Sequence, residues 1–221
     1  MENYSINDRN KVKRVPERGH YDQDTIYKIL DEGFLAYISF VVGDQPMIIP
    51  TLYGREGNKL YIHGASTSRM IKNLEKGVPV SLCVCHVDGL VLARSAFHHS
   101  MNYRSAVVFG KATMVDDRDK EHALFVISEH LIKDRWSEVR KPNAKELKAT
   151  TVLALDIEQA SAKIRSGAPK DDREDYQLDI WAGVIPTQFI AGQPITDEVP
   201  GLDIEVSDSV TDYVDIHRVN I

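Results

Sequence analysis

Between Lys59 and Glu75 the chain reads KLYIHGASTSRMIKNLE. An alternating apolar run stops at His63 and Gly64, three hydroxyl residues follow (Ser66, Thr67, Ser68), and then come Arg69 and Lys72. These residue types in this order have the chemistry of an anion site. A helix start presents N–H groups without intrahelical partners and a partial positive charge. The hydroxyls add donors, Arg69 offers a planar fork for phosphate, and Lys72 supplies a point charge on a neighbouring face. The plainer reading is a capping serine and two solvated basic residues. A Walker loop is excluded, because its Gly-Lys-Ser/Thr is absent.

A second concentration lies in LVLARSAFHHSMNYRSAVVFG, where Arg94, His98, His99, Asn102, Tyr103 and Arg104 crowd between two apolar runs. Loops held on rigid strands are where sites sit, although histidines that merely cap strand ends would look the same. Cys83, Cys85 and His86 invite a metal reading. On a strand His86 faces away from both cysteines, and no second Cys or His pair stands at zinc-finger spacing, so no metal is expected. HExxH, GxSxG and GxGxxG are all missing.

The elements that must position these residues can be read from periodicity. Asp24 can cap a helix over DTIYKILDEG, with Ile26, Ile29 and Leu30 on one stripe and Gly33 at its end. FLAYISFVV, PMIIPTLY and KLYIH read as strands joined by turns at Gly43-Asp44 and GREGN, an antiparallel meander. VSLCVCHV is a further strand, and Asp88-Gly89 reads as a turn into LVLARSAF. SAVVFGKATMV follows, with Gly110 as a bulge or bend. RDKEHALFVISEHLI is a helix with Ala123, Leu124, Ile127 and Leu131 on one stripe. TTVLALDIE closes the regular part, SAKIRSGAPKDDREDY reads as a solvated strand end and turn, and the acidic stretch beyond about residue 190 as an irregular tail hugging the surface or a partner. This predicts a mainly β protein with flanking helices: an arm over 1–22, a domain over 23–190 and a tail over 191–221.

With 221 residues the chain can bury a substantial core. A net charge of −6 argues against a general nucleic-acid binder, though not against a locally basic pocket. No run reaches the roughly 18–20 apolar residues of a membrane span. The polar start has no apolar signal segment, and two cysteines make no disulfide framework. A cytoplasmic protein without nucleic-acid or membrane partners is expected.

Four stretches together resemble the pyridoxamine phosphate oxidase-like FMN-binding split barrels, and within them the flavin-nucleotide-binding, nitroimidazole-resistance-related branch. They are PMIIPTLYGREGNKLYIHGASTSRMIKNLEKGVPVSLCV, DGLVLARSAFHHSMNYRSAVVFGKA, SAKIRSGAPKDD and WAGVIP. The resemblance covers roughly residues 14 to 190. It implies a six-stranded antiparallel split β-barrel with FMN at a homodimer interface. Ile49, Pro50 and Thr51 would then face the isoalloxazine, with His63 and Gly64 beside the phosphate arm. Ser68 and Arg69 would hold the phosphate, with Ser66 and Lys72 as additions. Arg104 and Ser105 would point toward the flavin, and Trp181 would cover the ring.

The function implied is an FMN-dependent oxidoreductase acting on a small organic acceptor, with no nucleophile or general base assigned. The alternative is a protein that binds or sequesters flavin or haem without turnover, His63, His98 and His99 being possible iron ligands. A pyridoxamine phosphate oxidase is the lower alternative. The acidic tail has only Arg218, where that enzyme carries an Arg-x-Arg-like pattern.

Overall fold

Strand alternation, glycine turns and a few amphipathic segments shape the chain, whose computed structural model describes residues 2–197, 199–201 and 203–218. In order the elements are β1 (Gly19–His20), α1 (Gln23–Asp31), β2 (Leu35–Val42), β3 (Gln45–Leu52), β4 (Gly54–Glu56) and β5 (Lys59–Ala65). Next come α2 (Arg69–Leu74), β6 (Pro79–Leu92), β7 (Ser100–Met114), α3 (Lys120–Leu131), α4 (Arg135–Glu138) and α5 (Ala144–Ala149). The last are β8 (Thr150–Asp156), β9 (Gln159–Arg165), β10 (Gly183–Pro186) and α6 (Asp208–Ile216). The class is the expected one, mainly antiparallel β with helices. Among the described residues ten strands take the place of the expected six, and three of the ten, β1, β4 and β10, are short. Two compact units are formed: residues 1–51, 79–110 and 157–188 make one, and residues 52–78, 111–156 and 189–221 the other.

In the first unit β6 is flanked by β2 (Tyr37 opposite Cys83) and by β10 (Leu90 opposite Ile185), while β9 lies between β7 and β1. Ile26, Ile29 and Leu30 of α1 are buried as their spacing predicts. The cap is Asp22, not Asp24: its carboxylate accepts the Thr25 N–H at 2.8 Å. The Asp88-Gly89 turn is also not formed. Inward residues change parity there, from Val80, Leu82 and Val84 to Val91 and Ala93, the signature of an extra residue in a continuous strand. Gly89 lies opposite Pro186, and an added Cβ would meet the Ile185 carbonyl oxygen at 3.0 Å.

In the second unit β4 and β5 form a hairpin, β5 pairs with β8 over seven residues, and β8 pairs with Ala112–Met114 of β7. Leu60, Ile62, Ile71, Leu74, Leu153 and Leu155 are fully buried. Ala123 and Ile127 of α3 pack on Val152, with Leu124 partly buried beside them. Val126 is buried instead of the expected Leu131. The tail holds more structure than its composition indicated. Glu138 of α4 accepts the Ser209 N–H at 3.0 Å and the Ser209 hydroxyl, and Arg135 donates to Ser207 Oγ at 2.7 Å, which fastens α6. The Ser209 donors hold Glu138 at about 2, below the ordinary carboxylate range. Residue 1 of the expected arm and residues 198, 202 and 219–221 of the expected tail lie outside the described residues.

Candidate functional site

The twelve candidate residues divide between the units, six in each. In the second unit the end of β5 turns into α2 as the sequence indicated. The Ser66 N–H reaches the Ala149 carbonyl at 3.0 Å, the Ser68 N–H reaches Ala65 at 2.8 Å, and the Lys72 N–H reaches Ser68 at 3.0 Å. Ser68 is the N-cap residue, yet its hydroxyl makes no capping bond. Met70, Ile71 and Leu74 anchor the six-residue helix inward, while Ser66, Thr67, Arg69 and Lys72 are exposed. Gly64 permits the approach: an added Cβ would stand 3.0 Å from Ile71 Cγ1. The packing thus leaves two cations and the free hydroxyl of Ser68 around one turn.

His63 pairs with Val152 and Gly64 with Thr151. Successive residues of a strand face opposite ways, so His63 lies on the face away from the one that receives Ile71. Its Nδ1 is buried without a hydrogen-bond partner, and burial pushes its pKa below the ordinary 6.5. The folded chain therefore resists protonating this ring, and the unfolded chain binds the extra proton first. The stability that comes from keeping it neutral is complete above about 6.5 and drains as pH falls from there toward the lowered folded value. Melting temperature should drop between about pH 8 and about pH 5, and His63→Gln should shallow that drop. Parallel curves would place the protonation elsewhere.

In the first unit Ile49, Pro50 and Thr51 lie on β3, an edge strand. Pro50 has no N–H to offer a ladder, which suits an edge. Arg104 on β7 is gripped by carboxylates: Nε and Nη2 donate to Asp88 at 3.0 and 2.9 Å, and Nη1 donates to Glu32. The Asp88 bonds, with Glu32 behind them, push its pKa above the ordinary arginine value. Ser105 Oγ donates to the Lys163 carbonyl at 3.3 Å. Trp181 is 66% exposed. Its indole lies across Gly183, where an added Cβ would come within 2.9 Å of Cζ2. The outer face of β2, β6 and β10 carries exposed Leu35, Tyr37, Val87, Leu90 and Ile185.

The polar loop after β6 is tied down by a residue the sequence did not single out. Asp171, whose side chain has no exposure, accepts the N–H groups of Arg94 (2.9 Å) and Ser95 (3.2 Å) and the Arg94 guanidinium (3.3 Å). Its burial would raise its pKa, but those donors outweigh it and hold the carboxyl below its ordinary value. Arg94 also lies 5.2 Å from the Tyr176 ring centroid. His99 Nε2 is 3.2 Å from the Ala93 carbonyl, and His98 Nε2 is 3.2 Å from Asp172. Among the described residues, ligating atoms of His98, Asp172 and Asp175 lie within 4.8 Å of one another. His86 spans to the Ile29 carbonyl at 2.9 Å, apart from the two cysteines as strand alternation requires. No helix among the described residues is long and apolar enough to cross a membrane. Only the carboxylate run in KDDREDY pointed toward Asp171, and no local pattern marks which of those acids is buried.

No curated protein matches the chain. Among solved structures, the flavocytochrome Anf3 of Azotobacter vinelandii is 38% identical, with a TM-score of 0.86 over 93% of this chain and 96% of that one. The FAD and heme binding protein of Mycobacterium smegmatis is 33% identical, with a TM-score of 0.85 over 89% of this chain and 97% of that one. A candidate 5-nitroimidazole antibiotic resistance protein of Bacteroides thetaiotaomicron shares the fold at 22% identity, with a TM-score of 0.57 over 66% of this chain and 86% of that one. The family model for pyridoxamine 5'-phosphate oxidase matches residues 22–164. With that match, and with two structures above 30% identity along nearly the whole length, the chain belongs to the pyridoxamine 5'-phosphate oxidase-like split-barrel family.

Proposed function

We propose that this chain is a redox protein that binds a flavin nucleotide together with haem. One observation carries the reading. The two neighbours described as a flavocytochrome and as an FAD and heme binding protein cover 93% and 89% of the chain, so they take in most of the residues outside 22–164. The resistance-related neighbour covers 66%.

The residues fit both groups. Ser66, Ser68, Arg69 and Lys72 form an exposed cationic, hydroxyl-rich turn that suits the phosphate end of a flavin. Ile49, Pro50 and Thr51 offer one wall for a ring system and the exposed Trp181 another. His63 keeps a neutral imidazole with an orphaned nitrogen, the protonation state that iron ligation needs. When bound, the flavin supplies two-electron chemistry and the haem iron one-electron chemistry. The protein would offer cations to the phosphate and a neutral imidazole to the iron. FMN and the larger FAD differ only beyond that phosphate, so the same turn serves either. The apolar outer face of β2, β6 and β10 supports a homodimer, in which a second copy would cover Leu90, Ile185 and Trp181.

Oxidation of pyridoxamine phosphate is the weaker reading. In the described tail, α6 bears Asp208, Asp212 and Asp215, and Arg218 is paired with Asp215 at 3.4 Å. The test is the visible spectrum of the purified protein, followed by mass identification of what acid releases. Flavin bands together with a Soret band are expected. A colourless protein that takes up neither added flavin nor hemin would end the proposal.

A further inference from the structure

Arg165, at the end of β9, is 7% exposed. A buried guanidinium is ordinarily paired with a carboxylate, because an isolated buried charge is expensive. Here its acceptors are all neutral: the Asn102 side chain, the Gly167 carbonyl at 3.4 Å and the Ala168 carbonyl at 3.5 Å. No carboxylate among the described residues forms an ion pair with it.

The strand register gathers further donors beside it. Tyr103 lies opposite Arg165, and Ser105 lies opposite Lys163. Residues directly opposite in an antiparallel pair share a face, so these four side chains rise on one side of β7 and β9. The other side carries the fully buried Ala106, Ala160 and Ala162. On the far edge of β9, Gly19 pairs with Lys163, which brings Arg18 alongside Ile164 and Arg165. Burial first, and then the Arg18 charge, depress the Arg165 pKa below its ordinary value. Neither Arg18 nor Lys163 makes an ion pair among the described residues, and Glu17, next to Arg18 in sequence, makes none with them either.

We infer that Arg18, Lys163 and Arg165, with the Tyr103 hydroxyl, form an oxyanion site on the outer face of β7 and β9 that takes the phosphoryl or carboxylate group of a small molecule. Three cations without a counter-ion repel one another, and an arriving dianion removes that repulsion while accepting charge-assisted hydrogen bonds. Arginine forks match the planar edges of both ligand groups. This site uses none of the residues of the turn around Ser66–Lys72 and does not depend on a flavin being bound there.

The test is calorimetric titration of the Arg69→Ala protein, in which the other basic turn is weakened, with inorganic pyrophosphate and in parallel with succinate at low ionic strength. Saturable binding of at least one probe is expected, and the preferred probe tells a phosphoryl from a carboxylate ligand. Adding Arg18→Ala should weaken that binding about tenfold, the effect of one charge-assisted hydrogen bond. Among the described residues Arg18 makes no side-chain hydrogen bond, so its removal leaves the Arg165 contacts intact. Lys163→Ala is the second variant and should act in the same direction. Absence of binding by both probes, or affinity unchanged in both variants, overturns the site. A protein that binds these probes as described but takes up no flavin or haem would sink the proposed function and leave this site standing.

Discussion

Gly54→Ala will destabilise the protein by about 3 kcal/mol, at the upper end of the range for overpacking a rigid site. A Cβ built on Gly54 falls 2.7 Å from Ile127 Cα and 2.7 Å from the Val126 carbonyl oxygen. Both are helix backbone atoms, so no side-chain rotation relieves the overlap. Either β4 or α3 must move, and Ile127 belongs to the cluster with Ala123 and Val152. For a chain of this size the melting temperature should fall by about 6–12 °C. Gly43→Ala is the control. Gly43 has φ of 60° and no atom within 4 Å of the added Cβ, so only left-handed strain of about 1 kcal/mol is expected. Equal effects for the two variants would show that close approach to α3 is not what Gly54 provides.

Arg69→Ala will weaken flavin binding by about 1.5–3 kcal/mol, or roughly 10- to 150-fold in Kd, the range for hydrogen bonds to a charged group. Arg69 is exposed at the start of α2, and the helix is anchored by Met70, Ile71 and Leu74, so the melting curve without cofactor should barely change. Quenching of flavin fluorescence gives the dissociation constant, and the Arg69→Lys variant should recover part of the loss because charge returns without the fork. An unaltered Kd would move the phosphate to another part of the chain.

Much of this architecture was legible where local chemistry decides it. The turns at Gly43 and Gly57 use glycines with φ of 60° and 57°, and the alternating residues between them form the expected strands. The basic turn at Ser66–Lys72 was equally plain, because its cations and hydroxyls are contiguous. What escaped depends on pairing between distant segments. β6 runs straight through Asp88-Gly89 because β10, almost a hundred residues later, lies alongside it. β9 is built from the weak strand formers of QASAKIR and exists because β7 and β1 flank it. Asp171 became a buried anchor only when the loop brought it to the N–H groups of Arg94 and Ser95. Likewise, nothing local to His63 announces that its Nδ1 lacks a partner.

The division into two units has a consequence for how the molecule must assemble. Each unit is stitched from three separate segments, and the chain passes from one to the other five times, once within β7. No single cut or truncation can therefore isolate one unit from the other. Many pairings that complete them join partners far apart in sequence, such as Gly19 with Lys163 and Lys59 with Asp156. Such a chain has few local shortcuts during folding, so it should reach the native state slowly for its size, and a ribosome must release nearly all of it before the first unit can close.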